Sequence, residues 1–230
     1  MSAQGAGPMP LPSGPARGGG RFPGFDVTTQ AKHWDEQTRT VVTKRLESPA
    51  APRFFTPREQ VTASALFDQL LYQPHEPRVP VMQMVDARLA DHETDGWHYE
   101  TMPPDDMAWQ RTLAALDDDS ADRYGHAFAE CTWDEQAELL QGIQDLGAEK
   151  WHGMTAAHVW SLWTRYGCTA FYAHPLAWNE IGFDGPAYPR GYKNIGVDRL
   201  EGIEVHDTHP ADDPLKTRRE RLERLREVQR

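Results

Sequence analysis

Apolar residues recur at helical spacing in five stretches of this chain, with polar residues between them. The clearest opening is Phe54-Phe55-Thr56-Pro57-Arg58-Glu59. Thr56 is placed to cap a helix, Pro57 fits its first position, and Glu59 completes a capping box. The helix this predicts would bury Val61, Leu66, Phe67, Leu70 and Leu71 and stop at Gln73-Pro74. A second helix is expected from Val79 to Asp91 with Met82, Val85 and Leu89 inward, and a third around Trp109, Leu113 and Leu116. Thr132-Trp133-Asp134-Glu135 repeats the capping-box grammar ahead of Leu139, Leu140, Ile143 and Leu146. The fifth stretch runs from Met154 to about Tyr166, with Val159, Leu162, Trp163 and Tyr166 on one face and Gly167 as its stop. The Met82/Met84 and Trp160/Trp163 spacings fit core packing. Period-two alternation is not sustained anywhere, so the expected fold is all-α: an irregular bundle of about five or six helices with flexible ends.

The ends differ from the middle. Twelve of residues 1–26 are Gly or Pro, so that stretch reads as a mobile tail, with Phe22–Phe25 an anchor that could order on a partner. Residues 215–230 carry seven basic side chains against three acidic ones, with Leu215, Leu222 and Leu225 near heptad spacing. A short basic amphipathic helix is expected there, docking on the acidic body or, as the alternative, on a membrane surface or partner. The division that follows is a largely irregular arm over 1–52, a helical domain over 53–200, and a polar linker with a basic helix over 201–230.

Composition narrows the function. A net charge of −11 argues against general nucleic-acid binding, and no run of eighteen apolar residues offers a direct membrane span. The start shows neither a secretory apolar region nor a twin-arginine signal, which leads to an expected cytoplasmic location, with export beside a signal-bearing partner left open. Two cysteines, Cys131 and Cys168, exclude a disulfide scaffold, a Cys-rich zinc site, an iron–sulfur cluster and CxxCH haem.

Nucleotide loops, HExxH and GxSxG are all missing from the sequence. His206-Asp207-Thr208-His209 with Asp212 and Asp213 is the best local metal cluster, but its Pro-containing polar setting gives poor orientation. Asp117-Asp118-Asp119 before Ser120 fits the end of one helix and the start of another better than a calcium loop. His126, His152 and His158 read as exposed or hydrogen-bonded, and the cysteines as small hydrophobes. The expectation is therefore no catalytic residue, no metal and no cofactor in this chain.

One segment stands apart. Residues 151–192 hold ten of the 23 aromatics, and Pro175, Gly182, Gly185, Pro186, Pro189 and Gly191 punctuate its second half. That punctuation predicts a long aromatic loop without regular structure. Its rings should be buried, either on the bundle or against another chain. Rigid aromatics on a Gly/Pro scaffold lose little rotamer entropy on binding. Phe171, Tyr172, His174, Pro175, Trp178, Glu180, Phe183, Tyr188 and Tyr192 are the candidate partner-interface residues.

Four motifs carry a resemblance: Phe54-Phe55-Thr56-Pro57, Phe171-Tyr172-Ala173-His174-Pro175, Asn179-Glu180-Ile181-Gly182-Phe183-Asp184-Gly185-Pro186 and Tyr188-Pro189-Arg190-Gly191-Tyr192. Together they resemble the gluconate 2-dehydrogenase subunit 3 family over about residues 53–200. The resemblance implies a non-catalytic small subunit that binds, stabilises or helps mature an FAD-dependent large subunit of the glucose–methanol–choline (GMC) type. FAD would lie in that partner, which oxidises sugars, sugar acids or polyols, and a cytochrome c subunit joins some such complexes. Many relatives carry a twin-arginine signal that residues 1–53 here do not show, and the 200–230 extension has no counterpart. The alternatives are a transient chaperone-like module for such a flavoprotein, or a self-sufficient enzyme pairing His174 with Glu180 as acid and base.

Overall fold

The computed structural model describes residues 25–194, 199 and 201. Residues 1–24 of the expected 1–26 tail, the His206–Asp213 cluster and the 215–230 helix expected from sequence lie outside the described residues. Seven α-helices, two short 3-10 helices and a two-residue β-ribbon make up the described chain, so the all-α expectation holds. The chain divides into two compact units, one of residues 47–173 and one of residues before 47 together with those from 174 onward.

In the 47–173 unit, α2 (Pro57–Leu70) starts as its local chemistry dictates. The Thr56 hydroxyl accepts from the Glu59 N–H, and the Glu59 carboxylate accepts from the Thr56 N–H at 2.8 Å. Thr62, Ala63, Leu66 and Phe67 face inward. Val61 was expected among them, yet it is 59% exposed: two positions before Ala63, it lies about 200° round the helix. Helix α3 (Val81–Ala90) buries Val81, Met82, Val85, Asp86 and Leu89. Asp86 is the anchor of the turn ahead of α2, because its carboxylate accepts from the backbone N–H groups of Arg53, Phe54 and Phe55 at 2.6, 2.9 and 2.7 Å.

Helix α4 (Asp105–Tyr124) runs straight through the acidic run expected to separate two helices, and ends at Gly125 in the left-handed conformation. The run stays helical because two of its carboxylates are used in tertiary bonds. Asp117 is buried and accepts from Arg58 Nε, Thr62 Oγ1 and the Phe128 N–H. Asp119 accepts from Trp151 Nε1 at 2.7 Å and meets His152 Nε2 at 2.7 Å. Helix α5 (Trp133–Asp145) carries the expected Thr132/Glu135 capping box and buries Leu139, Leu140 and Ile143. Leu146, expected inside, is its half-buried C-cap residue.

Strands β1 (Lys150–Trp151) and β2 (Met154–Thr155) pair antiparallel and lead into α6 (Ala156–Tyr172). Gly167 does not stop α6; it lies within it. A Cβ there would sit 3.2 Å from the Phe67 ring, so the glycine lets α2 and α6 approach closely. Trp109 forms the centre of this unit's core, with Phe55, Phe67 and Tyr166 around it at ring separations of 6.0, 5.4 and 5.8 Å. Such edge-on and tilted pairs add to burial alone.

In the other unit, the arm expected to be largely irregular contains a 3-10 helix over Val27–His33 and α1 (Glu36–Lys44). Asp26 and Asp35 cap them, accepting from the Thr28 and Thr38 N–H groups at 3.0 and 2.8 Å. Helix α7 (Pro175–Ile181) completes the described helices. Val27, Trp34, Val42 and Trp178 form the core of this unit, with Phe25 and Ala31 packed against it.

Candidate functional site

The nine candidate interface residues fall in both units. Phe171 and Tyr172 close α6 in the 47–173 unit, with rings edge-on at 5.2 Å. Phe171 is half-buried and Tyr172 exposed. The other seven belong to the second unit, where the segment is more ordered than its Gly/Pro content suggested. Pro175 does not break structure; it occupies the first turn of α7, where its missing N–H costs nothing. The cap before it is His174, whose Nδ1 accepts from the Leu176 N–H at 3.2 Å. Gly182, at φ 67°, ends the helix in the left-handed conformation.

Three candidates point into the chain. Trp178 is 5% exposed and packs on Val27, Trp34 and Val42. Pro175 and His174 are also buried. Asn179, which sequence reasoning passed over, ties the two ends of the unit together: its Oδ1 accepts from the buried Val27 N–H at 2.8 Å. Glu180, Phe183, Tyr188 and Tyr192 are exposed, Tyr188 at 64% and Tyr192 at 51%, and Ile181 joins them. Phe183 leans edge-on against Trp178 at 5.4 Å, so it bridges the buried and exposed sets.

His174 serves as a cap and gives no support to acid–base chemistry. Burial pulls its imidazole down from the usual 6.5 to about 4, and the hydrogen bond it donates to the Arg45 backbone carbonyl recovers only part of that. The sign follows directly. As pH falls below 6.5, the unfolded chain takes up a proton that the folded chain refuses. The stability this contributes is full above 6.5 and gone near pH 4, a loss on the order of 3 kcal/mol. Thermal melts from pH 7 to 4 should therefore show a falling Tm, and His174→Asn, which keeps a capping side chain, should flatten the fall. An unchanged slope in the variant would reject the assignment.

Gly185 holds the segment against this core. At φ +79°, an added Cβ would lie 2.7 Å from the Trp34 ring and 3.2 Å from Val27. Gly185→Ala is expected to lose about 2–4 kcal/mol through left-handed strain and overpacking together. A denaturation midpoint equal to the parent's would contradict this.

Among the described residues no helix is long and apolar enough to cross a membrane. Among the described residues, helices, a buried aromatic core in each unit and exposed aromatics after α7 describe a helical chain with material for a contact surface. The family model for gluconate 2-dehydrogenase subunit 3 matches residues 57–185, more than half of the chain, and the chain belongs to that family. The match begins at Pro57 and ends at Gly185, so Tyr188 and Tyr192 lie beyond it. No curated protein and no solved structure matches the chain.

Proposed function

We propose that this chain is the non-catalytic small subunit of an FAD-dependent, GMC-type dehydrogenase acting on sugars, sugar acids or polyols. Its role is to bind the large subunit and stabilise or help mature it. Family membership over residues 57–185 is the observation that carries this reading. FAD and the oxidation of the CH–OH donor belong to the large subunit, and a cytochrome c subunit is a further candidate member of the complex.

The exposed residues at the end of α7 and beyond it support the contact. Ile181, Phe183, Tyr188 and Tyr192 present apolar and aromatic surface to solvent, and tyrosines are among the residues that dominate interface energies. Trp178, His174 and Pro175 act behind that surface by holding α7 in place. Tyr188→Ala with Tyr192→Ala should weaken capture of the large subunit at least tenfold, as expected when hot-spot side chains are truncated. The Tm of the free chain should barely move, because exposed substitutions usually stay within about 0.5 kcal/mol. Undiminished capture would remove this surface from the interface. A large subunit that is matured by the chain but purifies without it would favour the transient, chaperone-like role.

A further inference from the structure

Where α4 gives way to α5, three donor groups of different chemistry converge. His126, Cys131 and Glu135 each bring one ligand-type atom, and these atoms all lie within 4.8 Å of one another. The His126 Nε2 is sealed from solvent yet has no hydrogen-bond partner, and it stands 3.9 Å from Glu135 Oε2. A buried ring nitrogen without a partner is costly unless something accepts or binds it. The neighbours explain how the group is held. Gly125 turns the chain out of α4, and Gln136 Nε2 donates to the Phe128 and Cys131 carbonyls at 3.0 and 3.2 Å, fixing the turn between them. Glu135 Oε2 accepts from the Thr132 N–H and Oγ1 at 2.7 and 2.8 Å. The capping box that starts α5 thus also orients the carboxylate, in the way outer-shell hydrogen bonds orient metal ligands.

We propose that His126, Cys131 and Glu135 bind one divalent cation of the zinc class, through imidazole nitrogen, thiolate sulfur and carboxylate oxygen. One imidazole, one thiolate and one carboxylate suit zinc, which takes all three ligand types. Tetrahedral bonds of about 2.0–2.3 Å require the donors to close to roughly 3.5 Å, a change within reach of side-chain rotation. The His126 and Glu135 side chains are 39% and 32% exposed, so the group lies near the surface, with Cys131, buried, on its inner side. The fourth position falls to water or to a group from another chain. Thr132 hydrogen bonds hold the Glu135 carboxyl below the usual carboxylate range, while burial, with the Glu135, Asp117 and Glu130 carboxylates adding to it, pushes the Cys131 thiol up. A bound cation offsets the upward push on Cys131 and leaves Glu135 ionised: the Cys131 S–H bond breaks, the metal–sulfur bond forms, and one proton leaves to solvent per ion bound.

Cobalt(II) added to the metal-free full chain tests this. One equivalent should give a thiolate-to-cobalt charge-transfer band in the near ultraviolet. Cys131→Ser and His126→Ala should abolish it, and Glu135→Gln, which keeps the capping geometry, should weaken binding at least tenfold. Cys168→Ser and the double variant His206→Ala/His209→Ala should leave it intact. No thiolate band, a band that survives Cys131→Ser, or one lost only with Cys168 or the His206/His209 pair would overturn the site. If Cys131→Ser does not fold, alkylation of the parent with and without zinc decides. Zinc should protect Cys131 and leave Cys168 reactive, and equal modification of both cysteines with and without zinc would reject the proposal.

Discussion

Asp86→Ala should lower the stability of the 47–173 unit by about 3–5 kcal/mol, the range seen when a buried hydrogen-bonded charge is removed from its partners. Asp86 is 1% exposed, and its two oxygens take the backbone N–H groups of Arg53, Phe54 and Phe55. Alanine supplies no acceptor, so three donors must find water or go unpaired, and the Phe55 donor is the most deeply buried. The effect extends to the core, because Phe55 packs on Trp109. The Thr56 cap follows this turn in sequence, so the start of α2 loses its fixed entry as well. Asp86→Asn should fall between parent and alanine, since it keeps one acceptor but turns an NH₂ group towards donors. Urea denaturation is the measurement, read as a lower midpoint at unchanged slope. A midpoint shift worth less than about 1 kcal/mol would mean that the turn holds without its clamp.

Trp178→Ala should cost about 3–5 kcal/mol, as large-to-alanine changes in cores do. The loss should be confined to one unit. Among the described residues, the cluster it joins has Val27, Trp34 and Val42 as its other buried members, so removing the indole takes away much of what orders α1, α7 and the 3-10 helix. Compact units open separately when their own contacts fail. Hydrogen exchange should show lost protection over residues 27–44 and 175–181, with 57–172 still protected. Intact protection with only partner capture lost would return Trp178 to the interface, where its sequence context first suggested it.

Helix starts were legible because their chemistry is local. Thr56/Glu59 and Thr132/Glu135 satisfy backbone donors within three residues, and no distant contact is needed to read them. The misreadings share the opposite cause. Gly167 resembles a stop until Phe67, a hundred positions earlier in the chain, explains why a glycine is needed inside the helix. Asp117 and Asp119 resemble a helix boundary until Arg58, Thr62, Phe128 and Trp151 are seen to use them. Pro175 read as a breaker because its cap is histidine, outside the usual Ser/Thr/Asp/Asn set. Asp26 and Asp35 were a usable capping signal that the surrounding Gly/Pro and polar composition obscured. At the candidate site, sequence located the aromatic segment but could not separate its faces. Which rings turn inward depends on Val27, Trp34 and Val42, more than 130 positions away from Trp178.

The central claim is that the redox chemistry belongs to a flavoprotein to which this chain binds. The most direct test is the flavin content of material purified from the native host through a tag on the full chain. The account predicts a yellow complex with one FAD per copy of this chain, oxidising a sugar, sugar acid or polyol with an artificial acceptor. A colourless, monodisperse monomer from the same host would contradict it.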